Sequence, residues 1–455
     1  MQVRAKKIDA TKGAIVPLII SFVIPLILTT VLQKFFNAVD LAVLGNMADT
    51  NAVASVGATT TIIHLMVDAF VGISAGAKIV FSRLFGRADN AQIKRTAGTS
   101  MIVALGFGII IATVGFIFAP TFLGWVKCPP VCLKGAILYT RIYVLSAPAI
   151  LIYNYGAAVL TSSGDSRRPM NYAIFSGLLN AVLNVVLCLI LTEKVAAVAI
   201  ATAASQLLAA TLVILRLTRL EGELKLEITR MRFDPHAFSQ LMRFGIPMAL
   251  QVLVYPLANV QIAAAINSYG EICVAGNSAA LTMHDIVSAF RVAFGTAVAT
   301  FMGQNLGAGN HERVKASLLH NTWMSIAVCL PLSLLEWALA PFWLKLFLGQ
   351  DAAAAEFALI RVAILNSSMF FLLMNTILGH AIQAFGYPIF STVNAVVWVL
   401  GFRIFWMSLV YPVYTSYASL MVCFSVSYVL NFICNVIIFA IIYYRYRKRK
   451  YKHIR

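Results

Sequence analysis

From the N-terminus to the C-terminus, apolar runs of about 20 residues or more alternate with short polar or charged stretches, the pattern of a chain that crosses a bilayer many times. Twelve spans are expected, at about 14–45, 52–82, 97–120, 136–161, 170–192, 194–217, 238–268, 272–302, 316–341, 355–384, 387–412 and 416–444. Their Leu, Ile, Val and Ala content predicts helices rather than barrel strands, because a spanning segment must satisfy its own backbone hydrogen bonds. The fold class is therefore an all-α polytopic membrane protein. The first span departs from the apolar pattern: Thr29, Gln33, Asn37 and Asp40 fall within about 80° of one another on a helix and make one polar stripe. A carboxylate inside the membrane marks an ion or substrate pathway by default; the alternative is a polar group that joins helices.

The longest interruption is a charged stretch over 218–237, read as an amphipathic linker on the membrane surface. It divides the chain into an N-terminal lobe (1–217, spans 1–6) and a C-terminal lobe (238–444, spans 7–12), followed by a basic tail (445–455). The two halves repeat. SFVIPLILTTVL at 21–32 matches RFGIPMALQVLV at 243–254, pairing Pro25 with Pro247. RLFGRADNAQIKR at 83–95 matches QNLGAGNHERVKA at 304–316, pairing Gly86 with Gly307 and Lys94 with Lys315, and His64 pairs with His284. Six spans per copy is an even number, so both copies enter from the same side, as a parallel repeat of two six-helix lobes. Such a pair encloses a central cavity and can rock between faces.

Composition and charge agree. Of 455 residues, 60% are hydrophobic and 11% charged, which leaves no room for a separate soluble domain. The net charge of +18 would suggest nucleic acid in a soluble protein. Here 25 of the 35 lysines and arginines fall in the N-terminal tail, the alternate loops, the linker and the C-terminal tail. Both termini are then cytoplasmic by the positive-inside rule, and no nucleic-acid partner is expected. Arg4, Lys6 and Lys7 precede an apolar run too long for a signal peptide and without a small-residue cleavage site, so that run is a retained first span. Seven cysteines are scattered, and only Cys128 and Cys132 lie close together, in KCPPVC. A disulfide or metal role there is open if the loop is extracytoplasmic.

Other polar groups cluster by helical spacing. Ser176, Asn180 and Asn184 lie on one face of the fifth span, and Thr202 and Gln206 lie on the sixth. With Asp40 they have the chemistry of a weak Na⁺ site or of a protonatable carboxyl held by hydrogen bonds; the amides alone would cross-link helices. His64, Asp68, Lys78 and Ser82 share a stripe of the second span, Lys34 lies nearby on the first, and a structural ion pair is the expected role of Asp68 and Lys78. His284, Ser288 and Arg291 share a face of the eighth span. None of these sets has the spacing of a transition-metal site or of a nucleophile with its base.

VDLAVLGNMADTNAVASVGATTTI, FGRADNAQIKR, its echo GQNLGAGNHERVK, and SSGDSRRPMNYAIFSGLLNAVLN resemble the multidrug and toxic compound extrusion (MATE) family of cation-coupled exporters, closest to its DinF-like branch, over nearly the whole chain. The resemblance implies two six-helix lobes in a V and drug efflux driven by inward H⁺ or Na⁺. It carries the branch's cation-coupling positions onto Asp40, Asn180, Asn184 and Thr202. Asn184 stands where that branch has a second carboxylate, which tilts the expected coupling ion from Na⁺ towards H⁺. The other main branch carries a Glu on the seventh span; Tyr255 stands at about that position, so no carboxylate site is expected there. The second-half counterpart of GDSRRP is shortened to Gly386, Tyr387 and Pro388.

The expected protein is a monomeric secondary-active multidrug exporter of the cytoplasmic (inner) membrane, not an enzyme and without a cofactor. It exchanges amphiphilic or cationic drug-like molecules for H⁺, with Na⁺ possible at the Asp40 set. Gln33, Asn37, His64, Asp68, Tyr255, His284 and Arg291 are the candidates to line the substrate cavity. A lipid-linked sugar flippase of the same superfamily is the alternative, kept open by Lys34, Lys78 and Arg291. A membrane-embedded acyltransferase is a third reading, which leaves the repeat unexplained.

Overall fold

The computed structural model describes residues 8–47, 50–126, 128–220, 225–349 and 351–452. Among these described residues ten helices are long and apolar enough to cross a membrane, and two bent pairs, each counted as one span, bring the number to twelve. In the first half these are α1 (Ile15–Met47), α2 (Thr50–Arg87), α3 (Asn90–Trp125), the pair α4 (Pro130–Val144) and α5 (Ala147–Ser162), α6 (Arg167–Ile190) and α7 (Lys194–Thr218). The second half has α8 (Pro235–Ser268), α9 (Glu271–Gly307), α10 (His311–Leu348), the pair α11 (Ala352–Ser367) and α12 (Met369–Ala384), the segments α13 (Pro388–Ala395) and α14 (Phe402–Phe405), and α15 (Tyr417–Lys452). The sequence predicts the fourth and tenth spans as single helices; each is instead broken, by 44° and 52°. Pro148 opens the second piece of the fourth span. Lacking an N–H, it fits the first turn of a new helix better than the interior of an old one.

Chain contacts divide the molecule into two compact units. The first comprises Ile20–Ala249 with short pieces at the N-terminus and at Gly307–Gly309; the second comprises Leu250–Leu306 and Asn310–Arg455 with Ala14–Ile19. The first unit thus runs through the linker and into α8. Two small-residue pairs explain why. A Cβ on Gly72 would lie 2.7 Å from the Ala249 Cα, and one on Gly76 would lie 2.5 Å from the Gly245 Cα. The small-xxx-small motifs GISAG on α2 and GIPMA on α8 let two backbones touch, the packing that membrane helices use where hydrophobic burial supplies no drive.

Among its described residues the linker carries a single 3-10 turn, Ile228–Arg230. It is tied to the first unit. Lys94 donates to Glu227 at 3.0 Å, the Asp234 amide donates to the Thr99 hydroxyl at 3.0 Å, Met231 packs on Gly98, and Leu226 is buried. The Asp234 carboxylate accepts from the amides of His236 and Ala237 and so starts α8. The Lys94 hydrogen bond, with its charge and those of Arg230 and Lys225, holds the Glu227 carboxyl below its ordinary range. A depressed folded value means that the tie contributes fully above the ordinary carboxylate range and is lost as acid protonates the folded carboxylate. A nitroxide on Ile228→Cys is therefore expected to be immobile at pH 7 and to loosen in acid, below the ordinary carboxylate range. Lys94→Met should loosen it at both; an unchanged spectrum in acid would remove this reading.

The loops that carry the sequence repeat have the same backbone. Ala88 takes φ 55° and Gly309 φ 69°, and each is followed by a cap residue, Asp89 or Asn310, whose side chain accepts from the amide three residues on. An alanine in the left-handed region costs about 1–2 kcal/mol, and a glycine there forfeits part of that gain through unfolded-state freedom. Ala88→Gly is expected to stabilise the protein by about 0.5–1 kcal/mol, seen as a higher melting temperature in detergent. A lower one would contradict the strain.

Candidate functional site

The buried face of α6 reads Pro169, Ala173, Gly177, Asn180, Asn184 and Cys188. Small residues at helical spacing let neighbours come close, and two amides are buried among them. Gly177 admits the ring of Phe36 from α1: a Cβ there would lie 2.1 Å from that ring. One turn beyond Phe36, the Asp40 carboxylate meets the amide of Asn184, which donates to it. The same amide group donates to the Asn180 carbonyl oxygen at 3.4 Å, and the Asn180 amide donates to the Thr202 hydroxyl of α7, also at 3.4 Å. Thr202 in turn donates to the Val198 carbonyl at 2.9 Å. The four residues carried over from the resemblance thus meet, within one unit and across α1, α6 and α7.

The set is lined by oxygen. Asn184, fully buried, spends its N–H groups on Asp40 and Asn180, and its own carbonyl oxygen has no partner. That orphan lone pair, the carboxylate, the Asn180 carbonyl and the Thr202 hydroxyl suit a hard monovalent cation. A proton on Asp40 fits equally, since a rotated Asn184 amide would offer it a carbonyl acceptor. Among the described residues no group of three His, Cys, Asp or Glu side chains is placed to hold a metal ion. Tyr139 on α4, buried, lies within hydrogen-bonding reach of Thr202 and near Asp40. Tyr143 stacks on it with centroids 6.0 Å apart and is close to both Asp68 and Asp40. Sequence reading missed these tyrosines; their i, i+4 spacing and polar tips were the available signal.

Other expectations come out differently. The Thr29 hydroxyl turns back to the Pro25 carbonyl at 2.7 Å and Ser176 to the Ala173 carbonyl at 3.1 Å, so neither joins the set. No hydrogen bond joins Gln206 to the set among the described residues. Gln33 and Lys34 are exposed on α1, and the side chains of Asn37 and His64 lie outside those described. No ion pair joins Asp68 to Lys78: ten residues along one continuous helix are about 15 Å, and Lys78 instead offers its backbone carbonyl to Ser82 and Ser162. Cys128 and Cys132 are free thiols.

In the second unit Tyr255 and His284 are partly exposed, and Arg291 donates to the Thr376 hydroxyl at 2.6 Å. A carboxylate that the sequence reading passed over, Glu336 on α10, is buried beside Asn366. One of its oxygens is unpartnered, and it helps to line an apolar cavity of about 200 Å³ with Met283, Ile286 and Trp343. A lone acid inside SLLEWALA was the signal.

A duplicated helical membrane protein that buries an ionisable group among amide and hydroxyl partners has the build of a membrane transporter. More narrowly, the chain belongs to the MatE family, whose model matches residues 25–186 and 247–409, one copy in each half. It is 25% identical over 351 residues to a probable multidrug resistance protein, YpnP, of Bacillus subtilis (strain 168), covering 77% of this chain and 78% of that one. It is 24% identical over 337 residues to a second, YoeA, of the same organism, covering 72% and 73%. The fold is that of a MATE transporter crystallised with MaL6, at TM-score 0.88 and 17% identity over 98% of this chain and 99% of the other. The protein is accordingly a multi-pass membrane transporter of the MATE family and not an enzyme.

Proposed function

We propose that this chain is a secondary-active exporter of the cytoplasmic membrane, with both termini inside. It moves amphiphilic or cationic small molecules outward in exchange for H⁺ or Na⁺ by alternating access. The observation that carries this reading is the Asp40, Asn180, Asn184 and Thr202 set: one buried carboxylate whose charge a cation or a proton can neutralise, held by groups that bond to either form. Curated relatives named as multidrug resistance proteins support the substrate class and do not favour the lipid-linked sugar flippase.

The test is counterflow in proteoliposomes with ethidium inside and an imposed inward gradient of H⁺ or of Na⁺. Efflux accelerated by one gradient and collapsed by its ionophore is the expected result, and it identifies the ion. Efflux indifferent to both gradients would overturn the coupling.

A further inference from the structure

The second copy of the repeat keeps the frame of the Asp40 set and reverses its charge. Pro169 on α6 and Pro388 on α13 mark the start of the fifth span in each copy, and Asn184 and Arg403 stand at the same distance beyond them. Both side chains are buried, at 0% and 1% exposure. Each reaches the first span of its own copy: Asn184 to Asp40 on α1, Arg403 to Asn259 on α8 at 2.6 Å. The shift that carries Gly164 to Gly386, which share φ near 90°, likewise carries Tyr139 to Arg361 on α11.

Arg361 is 6% exposed. It donates to the Asn277 carbonyl oxygen at 2.8 Å and approaches Met421. Both guanidiniums lie over the ring of Phe424 on α15, at 5.4 and 4.3 Å from its centroid, so they are neighbours. Tyr428 lies under Arg403 at 5.8 Å.

Among the described residues neither arginine meets a carboxylate. The Nε of Arg361 and the Nε and Nη2 of Arg403 have no hydrogen-bond partner. Cation–π contact satisfies no N–H, and a buried unpaired charge costs several kcal/mol. The backbone around Arg403 is also unusual: π-helical segments Val396–Gly401 and Trp406–Val410 flank its four-residue α segment, a departure that recurs at functional sites. We infer that the second unit holds an anion-binding site at Arg361 and Arg403. Its ligand is a small inorganic anion or the carboxylate or phosphate of a small molecule, either of which accepts the free N–H groups.

The experiment uses the purified full-length protein in detergent. Its melting temperature is followed as chloride replaces gluconate at constant ionic strength, and binding of 5-carboxyfluorescein is followed by polarisation. Saturable stabilisation by chloride that Arg361→Gln abolishes, and that Arg403→Lys shifts to at least about tenfold higher concentration, identifies a resident inorganic anion. Saturable carboxyfluorescein binding that the same variants weaken, and chloride does not displace, identifies a site for the acidic group of a small molecule. Asp40→Asn must leave either result intact, so failure of cation coupling and failure of this site are separable. A wild-type protein that responds saturably to neither anion overturns the proposal whether or not the variants fold.

Discussion

Asp40→Asn is expected to abolish the response of ethidium efflux to an imposed cation gradient. Gradient-driven transport should fall at least about tenfold, within the range that coupling free energies of about 1–3 kcal/mol produce. The substitution is nearly isosteric, and Asn184 can turn its amide to meet the new side chain, so folding and ethidium binding should survive. What is lost is the only carboxylate of the set, the one group whose charge the proposed cation or proton would neutralise. Asn180 and Asn184 cannot replace it, because amides do not titrate and carry no charge to neutralise. Parallel fluorescence-quenching titrations with ethidium separate loss of coupling from loss of binding. Unchanged gradient dependence with intact binding would move the coupling site elsewhere, with Glu336 the next carboxylate to test.

The second large effect is structural. Gly76→Ala adds one methyl group 2.5 Å from the backbone of Gly245, where no rotamer change can give way. Separating α2 from α8 there should cost about 3 kcal/mol or more, at the upper end of overpacking penalties. The expected readout is a sharp loss of the monodisperse peak in size-exclusion chromatography and a lower melting temperature. Gly106→Ala is the control: a Cβ there meets nothing within 4 Å, and stability should stay within about 1 kcal/mol of the parent. Equal behaviour of the two variants would show that the close helix crossing contributes little.

The spans, the repeat and the shared face of Asn180 and Asn184 were legible in the sequence because they rest on periodicity. Apolar length measures the bilayer, and Asn180 and Asn184 four residues apart must share a face. The resemblance joined Asp40 to Thr202; spacing alone left the amides as possible cross-links. What stayed hidden depended on which neighbour a side chain meets. Thr29 lies on the same stripe as Asp40 but finds a nearer acceptor in its own helix. The breaks at residues 145–146 and 368 could not be placed, since a bent pair and a straight span share one apolar profile. Arg361 and Arg403 lie in different spans with no spacing to link them, and only the fold sets both over the ring of Phe424.

The register of α8 with α2 has one more consequence. The chain's covalent midpoint lies in the linker, yet packing carries the first unit on to Ala249. A nick between Arg219 and Lys225 would leave the downstream fragment still bearing the Gly245 and Ala249 surface that fits Gly72 and Gly76. Two separately synthesised halves are therefore expected to find each other through that surface, seen as co-elution of both fragments when only one is captured.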